Sequence, residues 1–322
     1  MHLLDIKNLN IAYNTGDKKV KAVRNVSLTV DEQESVGIVG ESGSGKSTLA
    51  MGVLRLLPAN IIEVDGEALL EGKDILTMTD DELRKVRWTT MSVIFQKAMN
   101  CLSPVHRIGK QMEDIYRVHR PEETDENIKA RVYELLKIVN LSDRVYMSYP
   151  HELSGGMMQR VAIALSLIFS PKLLIMDEAT TALDVVTQSQ ILNEIMELEK
   201  NLKIARIMIT HDVSVVASTC KRIVVMYAGE LMEQGSVEDV LLNPKHPYTQ
   251  GLLNSFPSFK GERGKLEGIP GSLPDLSKDM PGCVFVDRCP HATQRCHDEK
   301  PGDHQVGNRW FVKCHLVEGG AQ

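Results

Sequence analysis

The stretch GESGSGKS, which begins at Gly40, has the residue types and spacing of a phosphate-binding loop. Gly40, Gly43 and Gly45 allow the backbone to curl so that its N–H groups converge on an anion. Lys46 would reach the β- and γ-phosphates, and the Ser47 hydroxyl would coordinate Mg²⁺. An apolar run precedes the loop and a segment of helical character follows it, which favours this function over a glycine-rich connector.

A second group of candidate residues follows the apolar run LLIM, where Asp177 and Glu178 stand side by side. A buried strand that ends in Asp177 would deliver a carboxylate to the outer shell of a metal ion. Glu178 would then accept a proton from an attacking water. Two acids after a strand are ordinary when they occur alone, but together with the phosphate loop they predict nucleotide hydrolysis.

Two further segments have weaker signals. Ser154, Gly155 and Gly156 precede a helix that we expect to begin near Met157, so they form either a second anion-binding corner or a plain helix cap. His211 follows the apolar run ARIMIT, where it is placed either to hydrogen-bond phosphate or to cap a helix.

Cysteines are concentrated near the end of the chain with the pattern C-x5-C-x6-C-x17-C. Four thiolates can ligate a [4Fe–4S] cluster or tetrahedral zinc, and free structural thiols are a third interpretation. His291, His297 and His315 lie beside them and are interpreted as surface residues, although they leave a mixed ligand set open. Cys101 and Cys220 lie outside this group and are interpreted as small core residues. The four candidate ligands are Cys283, Cys289, Cys296 and Cys314.

The elements that must position these residues follow an α/β pattern. The first thirty residues alternate as strands, and SVGIVG predicts a buried strand before the phosphate loop. Residues 100–160 are polar and helical, and they place Ile128, Val132, Leu135, Leu136 and Val139 on one face of a helix with a Thr or Asp cap. Three later apolar runs predict strands covered on both faces: KLLIMD, ARIMIT and RIVVMYAG.

Composition and charge narrow the functional class. The chain has 322 residues, a net charge of -6 and a pI near 6.0, which argues against an extensive nucleic-acid-binding surface. Its most apolar run, VAIALSLIF, is far shorter than the ~20 residues that span a bilayer. The first residues lack the pattern of a secretory signal, so we expect a cytoplasmic protein. In that reducing compartment, clustered cysteines favour a metal site over disulfides.

In this order, the motifs resemble those of the nucleotide-binding subunit of an ABC transporter. The match consists of GESGSGKS, FQ, LSGGM, LLIMDE, TALD and THD. The resemblance implies a P-loop NTPase (RecA-like) core with an N-terminal antiparallel β subdomain and a helical subdomain at about residues 97–160. A cysteine-rich extension at 256–322 would follow a nucleotide-binding domain at 1–255.

The resemblance also implies roles for single residues in binding ATP and Mg²⁺. Tyr13 would stack on adenine, an assignment that rests on the family because an aromatic at a strand end is more often core packing. Ser42 and Thr48 would join the phosphate loop, and Gln96 would touch Mg²⁺ and couple to the membrane subunits. His211 would contact the γ-phosphate in its own subunit's site.

In this family two subunits form a head-to-tail dimer with ATP between them. Ser154 and Gly156 would therefore bind the γ-phosphate of the partner's ATP, and Asp184 would contact the partner. Glu178 would be the general base.

Four stretches resemble more specifically the ATPases of dipeptide and oligopeptide importers: GIVGESGSGKS, HPYTQGLL, IPGSLPDL and the cysteine tail. This resemblance implies a second, homologous ATPase in a heterodimer, two permease subunits and an extracytoplasmic binding protein. It places the chain at the cytoplasmic face of the membrane and favours [4Fe–4S] over Zn²⁺ at the cysteines. Related importers of oligosaccharides or nickel are the alternative.

Three departures from the family pattern alter no reactive group. Ala179 replaces the usual Pro, Met158 replaces a frequent Arg, and Lys97 with Ala98 replaces Asp and Pro after the FQ motif. We therefore expect a site competent for hydrolysis.

Two other functional classes are a soluble ABC ATPase in DNA repair or translation and a structural metal-binding protein. The absence of a long coiled-coil insertion and of excess basic charge disfavours the first, and an intact phosphate loop disfavours the second.

Overall fold

The computed structural model describes residues 2–16, 18–95, 102–180, 184–255 and 268–318. Two compact units are present. Unit 1 comprises residues 1–31, 35–77 and 208–322, and unit 2 comprises residues 32–34 and 78–207. Within the described ranges, none of the helices combines the length and the apolar character that crossing a bilayer requires.

The strands and helices of the described segments, in chain order, are β1 (Leu4–Thr15), β2 (Lys18–Val30), β3 (Ser35–Val39), α1 (Lys46–Val53), β4 (Ile62–Leu70), β5 (Lys73–Asp74), α2 (Asp80–Val86), β6 (Met91–Ile94), α3 (Ile108–His119), α4 (Asp125–Ile138), α5 (Gly155–Ser166), β7 (Leu173–Asp177), α6 (Val185–Leu202), β8 (Ala205–Ile209), α7 (Val213–Thr219), β9 (Arg222–Tyr227), β10 (Glu230–Ser236), α8 (Val237–Leu242), α9 (Pro247–Asn254), α10 (Gln294–Asp298), β11 (His304–Gly307) and β12 (Trp310–Val312).

The N-terminal antiparallel sheet predicted from the sequence is confirmed in unit 1. Its strand order is β2-β1-β4-β5, and β1 pairs with β2 and with β4 in antiparallel register. Leu4, Ile6, Leu9 and Ile11 of β1 are fully buried, whereas polar residues between them face outward. This alternation is the reason that the first strand was predictable.

A second set of strands in unit 1 carries the phosphate loop. β3 pairs in parallel with β9, β9 pairs with β10, and β12 lies between β10 and β11. All five residues of β3 and all six of β9 are buried. Strands covered on both faces have this composition, so the predictions from SVGIVG and RIVVMYAG are confirmed.

Unit 2 contains the predicted helical segment. In α4, Ile128, Val132, Leu135 and Leu136 are buried on one face, and Thr124 is the N-cap whose side chain accepts a hydrogen bond from the backbone N–H of Asn127. The predicted helix and its cap are therefore confirmed. In the same unit, β6 and β7 pair in parallel, and β7 is buried throughout, as KLLIMD predicts.

The end of the chain contains two strands that the sequence did not predict. β11 and β12 are four and three residues long, and β12 pairs with Glu233 and Gln234 of β10. Phe285 and Trp310 belong to the same buried cluster as Tyr227 of β9. Residues 268–318 therefore pack against the core of unit 1, while the predicted division between residues 255 and 256 stays a prediction.

Candidate functional site

The phosphate loop connects β3 to α1, and its glycines adopt backbone conformations that other residues rarely adopt. The φ angles of Gly40, Gly43 and Gly45 are 151°, 82° and 99°. A Cβ atom on Gly45 would lie 2.2 Å from the carbonyl oxygen of Ala22, and one on Gly40 would lie 2.1 Å from that of Met226. Both positions therefore require glycine for conformation and for space.

Lys46, the first residue of α1, is held within the loop. Its Nζ donates hydrogen bonds to the carbonyl oxygens of Gly40 and Glu41, each at 2.8 Å. The side chain is buried, whereas Ser42 and Ser47 are exposed. The ammonium group lies at the inner side of a curled loop at a helix N-terminus, which is the arrangement that binds phosphate in such loops.

Tyr13 of β1 and Thr48 of α1 meet beside this loop. The Tyr13 hydroxyl lies 3.3 Å from Thr48 Oγ1, and both side chains are partly buried. The structure thus brings the residue predicted to stack on adenine to the same helix that carries Lys46 and Ser47, which are predicted to bind phosphate and Mg²⁺.

His211 lies at the same strand edge of unit 1 as the loop. The backbone N–H of Thr210 donates to the carbonyl oxygen of Ile38 at 3.2 Å, and His211 is the next residue and is exposed. Thr210 directly follows β8, so this hydrogen bond places His211 near the carboxyl end of β3, where the phosphate loop begins. The predicted contact of His211 with the γ-phosphate stays a prediction.

Asp177 and Glu178 lie in unit 2 at the carboxyl end of β7. Asp177 is buried at 6% exposure, and Glu178 is partly exposed. Glu178 has a φ of 47°, a left-handed conformation that is uncommon for a residue other than glycine. The chain therefore turns sharply at the predicted general base, and Ala179 follows as a buried residue.

The Ser-Gly-Gly segment caps α5, which begins two residues earlier than predicted. The helix starts at Gly155 instead of near Met157, because the Ser154 hydroxyl accepts the backbone N–H of Met157 at 3.3 Å and thereby makes Ser154 the N-cap. A Cβ atom on Gly156 would lie 3.0 Å from Cγ2 of Thr187. The structure therefore gives Gly156 a packing role in addition to its predicted role in binding phosphate.

Asp184 is the N-cap of α6. Its carboxylate accepts the backbone N–H groups of Val186 and Thr187, and it also accepts the Thr187 hydroxyl at 2.7 Å. The backbone and side-chain hydrogen bonds from Thr187 lower the pKa of Asp184. Sequence reasoning missed Thr187, because the residue type of Asp184 indicates a helix N-cap, whereas a Thr three residues later is not part of the usual capping-box pattern.

One predicted site residue cannot be placed. Gln96 lies outside the described residues, as do Lys97, Ala98 and Cys101. Its predicted contact with Mg²⁺ stays a prediction.

Comparison with known proteins gives the family. The ABC transporter family profile matches residues 23–181, and the profile of the oligopeptide/dipeptide transporter C-terminal region matches residues 232–296. The oligopeptide transport ATP-binding protein OppD of Escherichia coli is 43% identical over 301 residues, which are 93% of this chain and 89% of the relative. The chain belongs to the oligopeptide/dipeptide family of ABC transporter ATP-binding proteins.

Other relatives and solved structures agree with this assignment. The dipeptide transport ATP-binding protein DppD of Haemophilus influenzae is 42% identical over 98% of this chain and 96% of its own length. A dimeric ABC transporter cassette, MJ0796, is 30% identical with a TM-score of 0.65 over 73% of this chain and 98% of that chain. The CbiO1 subunit of Clostridium perfringens also has a TM-score of 0.65, at 28% identity over 75% of this chain and 91% of that chain. The predicted ABC ATPase fold is confirmed.

The four cysteines of this ABC transporter ATP-binding protein line one cavity, together with His246 and Phe285. Burial raises the pKa of Cys283 to about 11, with a further rise from the neighbouring cysteines. Burial and neighbouring cysteines also raise the pKa of Cys289 and of Cys314. The four thiols therefore share one cavity, which is one requirement of a thiolate-ligated group.

This arrangement does not confirm the predicted cluster. In the described parts of the chain, no three His, Cys, Asp or Glu side chains are grouped so that they could hold a metal ion. Cys220, interpreted from the sequence as a core residue, is partly buried against the core of unit 1.

Sequence reasoning also missed two residues of this ABC transporter ATP-binding protein that contact the phosphate loop. The Tyr248 hydroxyl accepts the backbone N–H of Glu41 at 3.0 Å, and Arg288 forms an ion pair with the Glu41 carboxylate at 2.9 Å. Tyr248 belongs to the quoted segment HPYTQGLL, but nothing in the spacing of these residues pointed to the loop.

Proposed function

We propose that the protein is the ATP-hydrolysing motor subunit of an ABC importer for dipeptides or oligopeptides. The observation that carries this proposal is the extent of the similarity. Relatives named for oligopeptide and dipeptide transport match 93% and 98% of the chain, and the profile of the oligopeptide/dipeptide transporter C-terminal region matches residues 232–296. The substrate class rests on those relatives and on the importer resemblance.

ATP binding would use the residues gathered in unit 1. Tyr13 would stack on the base, and the N–H groups of the loop from Gly40 to Gly45 would hold the phosphates. Lys46 would exchange its two carbonyl partners for phosphate oxygens. Ser47 would hold Mg²⁺, which supplies charge neutralisation of the phosphates when bound. The exposed hydroxyl of Ser47 and the Tyr13–Thr48 contact support this assignment.

Hydrolysis would use four further residues. Glu178 would accept the proton of the attacking water, and Asp177 would hold the outer shell of the metal ion. His211 would donate a hydrogen bond to the γ-phosphate, and Gln96 would orient the water and the metal ion. The positions of Asp177 and His211 at the carboxyl ends of their strands support these roles.

A second ATPase subunit would complete each ATP site. Ser154 and Gly156 of one subunit would bind the γ-phosphate of ATP held by the other, with Asp184 at the contact. We infer a heterodimer with a homologous ATPase beneath two permease subunits, fed by an extracytoplasmic binding protein. The chain would then be a peripheral protein at the cytoplasmic face of the membrane.

Reconstitution tests this function. The chain is co-expressed with a homologous second ATPase and two permease subunits from the same organism and is placed in proteoliposomes with an extracytoplasmic binding protein. We expect ATP hydrolysis that a mixture of dipeptides and oligopeptides stimulates, with uptake of labelled peptide. Stimulation by nickel or by oligosaccharides, but not by peptides, would assign the complex to another substrate class. Co-purification with nucleic acid or ribosomes instead of permeases would refute the importer proposal.

We propose in addition that Cys283, Cys289, Cys296 and Cys314 hold a [4Fe–4S] cluster. Support comes from the single cavity that they line and from the resemblance to importer ATPases with a cysteine-rich tail. Iron and acid-labile sulfide are measured in the anaerobically purified full chain. We expect about four of each per chain. Stoichiometric zinc in a colourless sample, or neither metal, would refute the cluster.

A further inference from the structure

Arg288 links the C-terminal segment to the phosphate loop. It ends the short 3-10 helix Val286–Arg288 and directly precedes Cys289. Its Nη1 lies 2.9 Å from Oε2 of Glu41, the second residue of the loop, although the two residues are 247 positions apart in the chain. The Arg288 side chain is 6% exposed and that of Glu41 is 29% exposed. The pair is therefore shielded more than an ordinary surface ion pair.

The other donors of Arg288 fix the position of its guanidinium group. Nε donates to the carbonyl oxygen of Pro270 at 2.7 Å, and Nη2 donates to that of Ile269 at 3.1 Å. Nη1 also donates to the Tyr227 hydroxyl at 3.2 Å, and the guanidinium lies over the Tyr227 ring at 5.5 Å from its centroid. A planar guanidinium can satisfy these partners at once, whereas an ammonium group cannot.

Glu41 connects this anchor to the phosphate-binding lysine. Its backbone N–H donates to the Tyr248 hydroxyl at 3.0 Å, and its carbonyl oxygen accepts Lys46 Nζ at 2.8 Å. The three groups of Glu41 are thus held by Arg288, Tyr248 and Lys46. A movement of the Arg288 side chain would act on the backbone that positions Lys46.

The segment before Arg288 covers neighbouring parts of the nucleotide-binding unit. The Leu273 side chain would lie 3.4 Å from a Cβ atom on Gly43. The carbonyl oxygen of Leu276 accepts the backbone N–H of Lys21 at 3.1 Å and the Arg24 guanidinium at 2.9 Å. Residues 269–276 therefore contact the loop and strand β2 directly.

Charge makes the ion pair relevant to ATP. Glu41 places a carboxylate in a loop whose ligand carries several negative charges, and a nearby unpaired carboxylate would repel that ligand. Arg288 neutralises the carboxylate and fixes its direction. We propose that Arg288 is a positioning residue of the ATP site, through which the C-terminal segment sets the affinity of the loop for ATP. This inference rests on the proposed ATP-binding function.

The dissociation constant of Mg·ATP, measured by titration calorimetry on the full-length chain, tests the proposal. We expect Arg288→Gln to raise this constant about tenfold, because Glu41 then remains as an unpaired negative charge. Glu41→Gln should stay within about threefold of the wild type. The double variant should match Glu41→Gln, since the charge that Arg288 neutralises is no longer there. Arg288→Lys should fall between the wild type and Arg288→Gln.

Arg309→Gln provides a matched control. Arg309 also belongs to the C-terminal segment, and it also forms an ion pair with a carboxylate, that of Asp31, at 2.8 Å. Asp31 directly follows β2 and does not belong to the phosphate loop. We expect wild-type ATP affinity in this variant. Hydrogen exchange provides a second readout: ATP should slow exchange of the amides at residues 286–289 in the wild type and not in Arg288→Gln, because the coupling is reciprocal.

Three results would separate the outcomes. The positioning role is refuted if Arg288→Gln binds ATP as tightly as the wild type does. It is also refuted if Arg288→Gln raises the dissociation constant of Mg·ATP by the same factor in the Glu41→Gln variant as in the wild type. If Arg288→Gln does not fold, Arg288→Lys still tests the role. Wild-type affinity in Arg288→Lys, or a wild-type chain in which ATP does not slow exchange at residues 286–289, would refute it. A wild-type chain that does not bind ATP would refute the proposed function itself.

Discussion

The hydroxyl oxygen of Tyr13 lies 3.3 Å from Oγ1 of Thr48, so the strand that carries the aromatic ring is tied to the first turn of the helix that follows the phosphate loop. This contact fixes the distance between the predicted base platform and the phosphate-binding backbone. It also allows the contributions of the ring and of the hydroxyl to be measured separately.

Tyr13→Ala should raise the dissociation constant of ATP about tenfold, because a stacked base is worth roughly 1–3 kcal/mol. Tyr13→Phe keeps the ring and loses only the contact with Thr48, so we expect a change of less than about threefold. Equilibrium titration with ATP measures both constants. Equal losses in the two variants would show that the hydroxyl, and not stacking, carries the effect.

Glu178→Gln should lower the ATP turnover of the assembled transporter at least about 100-fold while ATP binding is retained, because the amide cannot accept the proton of the attacking water. Phosphate release and ATP titration measure the two quantities. Glu238→Gln, at an exposed glutamate in the first turn of α8, is the matched control and should have wild-type turnover. Turnover that survives Glu178→Gln would refute the assignment of the general base.

Gly156→Ala should change the free energy of unfolding by less than about 1 kcal/mol, because the contact of the new methyl group with Cγ2 of Thr187 at 3.0 Å opposes the higher helix propensity of alanine. Thr187→Ser removes the Thr187 methyl group and keeps the hydroxyl that bonds Asp184. In the double variant we expect chemical denaturation to show higher stability than in Gly156→Ala, while turnover of the transporter stays low because the added Cβ still blocks the partner's phosphate. Recovery of turnover would assign Gly156 a packing role alone.

Gly45→Ala should abolish measurable ATP binding, because its φ is 99° and the new Cβ would lie 2.2 Å from the Ala22 carbonyl oxygen. Gly16→Ala is the control for conformation without a clash: φ is 62°, and nothing lies within 4 Å of its Cβ. It should cost only about 1–2 kcal/mol of stability and leave ATP affinity unchanged. Urea denaturation and ATP titration give both values, and similar effects of the two substitutions would contradict this explanation.

Many strands and helices of the fold could be predicted from the sequence, because local patterns of apolar and polar residues determine them. Leu4 and Ile6, and then Leu9 and Ile11, alternate with polar residues, which predicts a strand, and a register shift between Ile6 and Leu9 allows both pairs to be buried. The helical spacing of Ile128, Val132 and Leu135 predicts the buried face of α4. The phosphate loop could also be predicted, because its backbone needs positive φ angles at fixed positions and glycine is the residue that adopts them most easily.

Other features depended on contacts that no local pattern encodes. Strand β12 has three residues, too few for a period, and it exists because it pairs with β10 and because Trp310 Nε1 donates to the buried Glu233 carboxylate at 2.9 Å. The early start of α5 follows from the hydrogen bond at Ser154, since a helix end is known only to within one or two residues until the geometry of its cap is seen.

The family, the phosphate-loop motif and the residue types that hydrolysis needs could be predicted from short motifs, because the chemistry of these motifs is local. The folded chain was needed to find that Glu41 of the loop pairs with Arg288, that a side chain at Gly156 would contact Thr187, and that four separated cysteines line one cavity. Such contacts join residues far apart in the chain. They arise when packing of the whole core places the segments together, so the spacing along the sequence carries no signal for them.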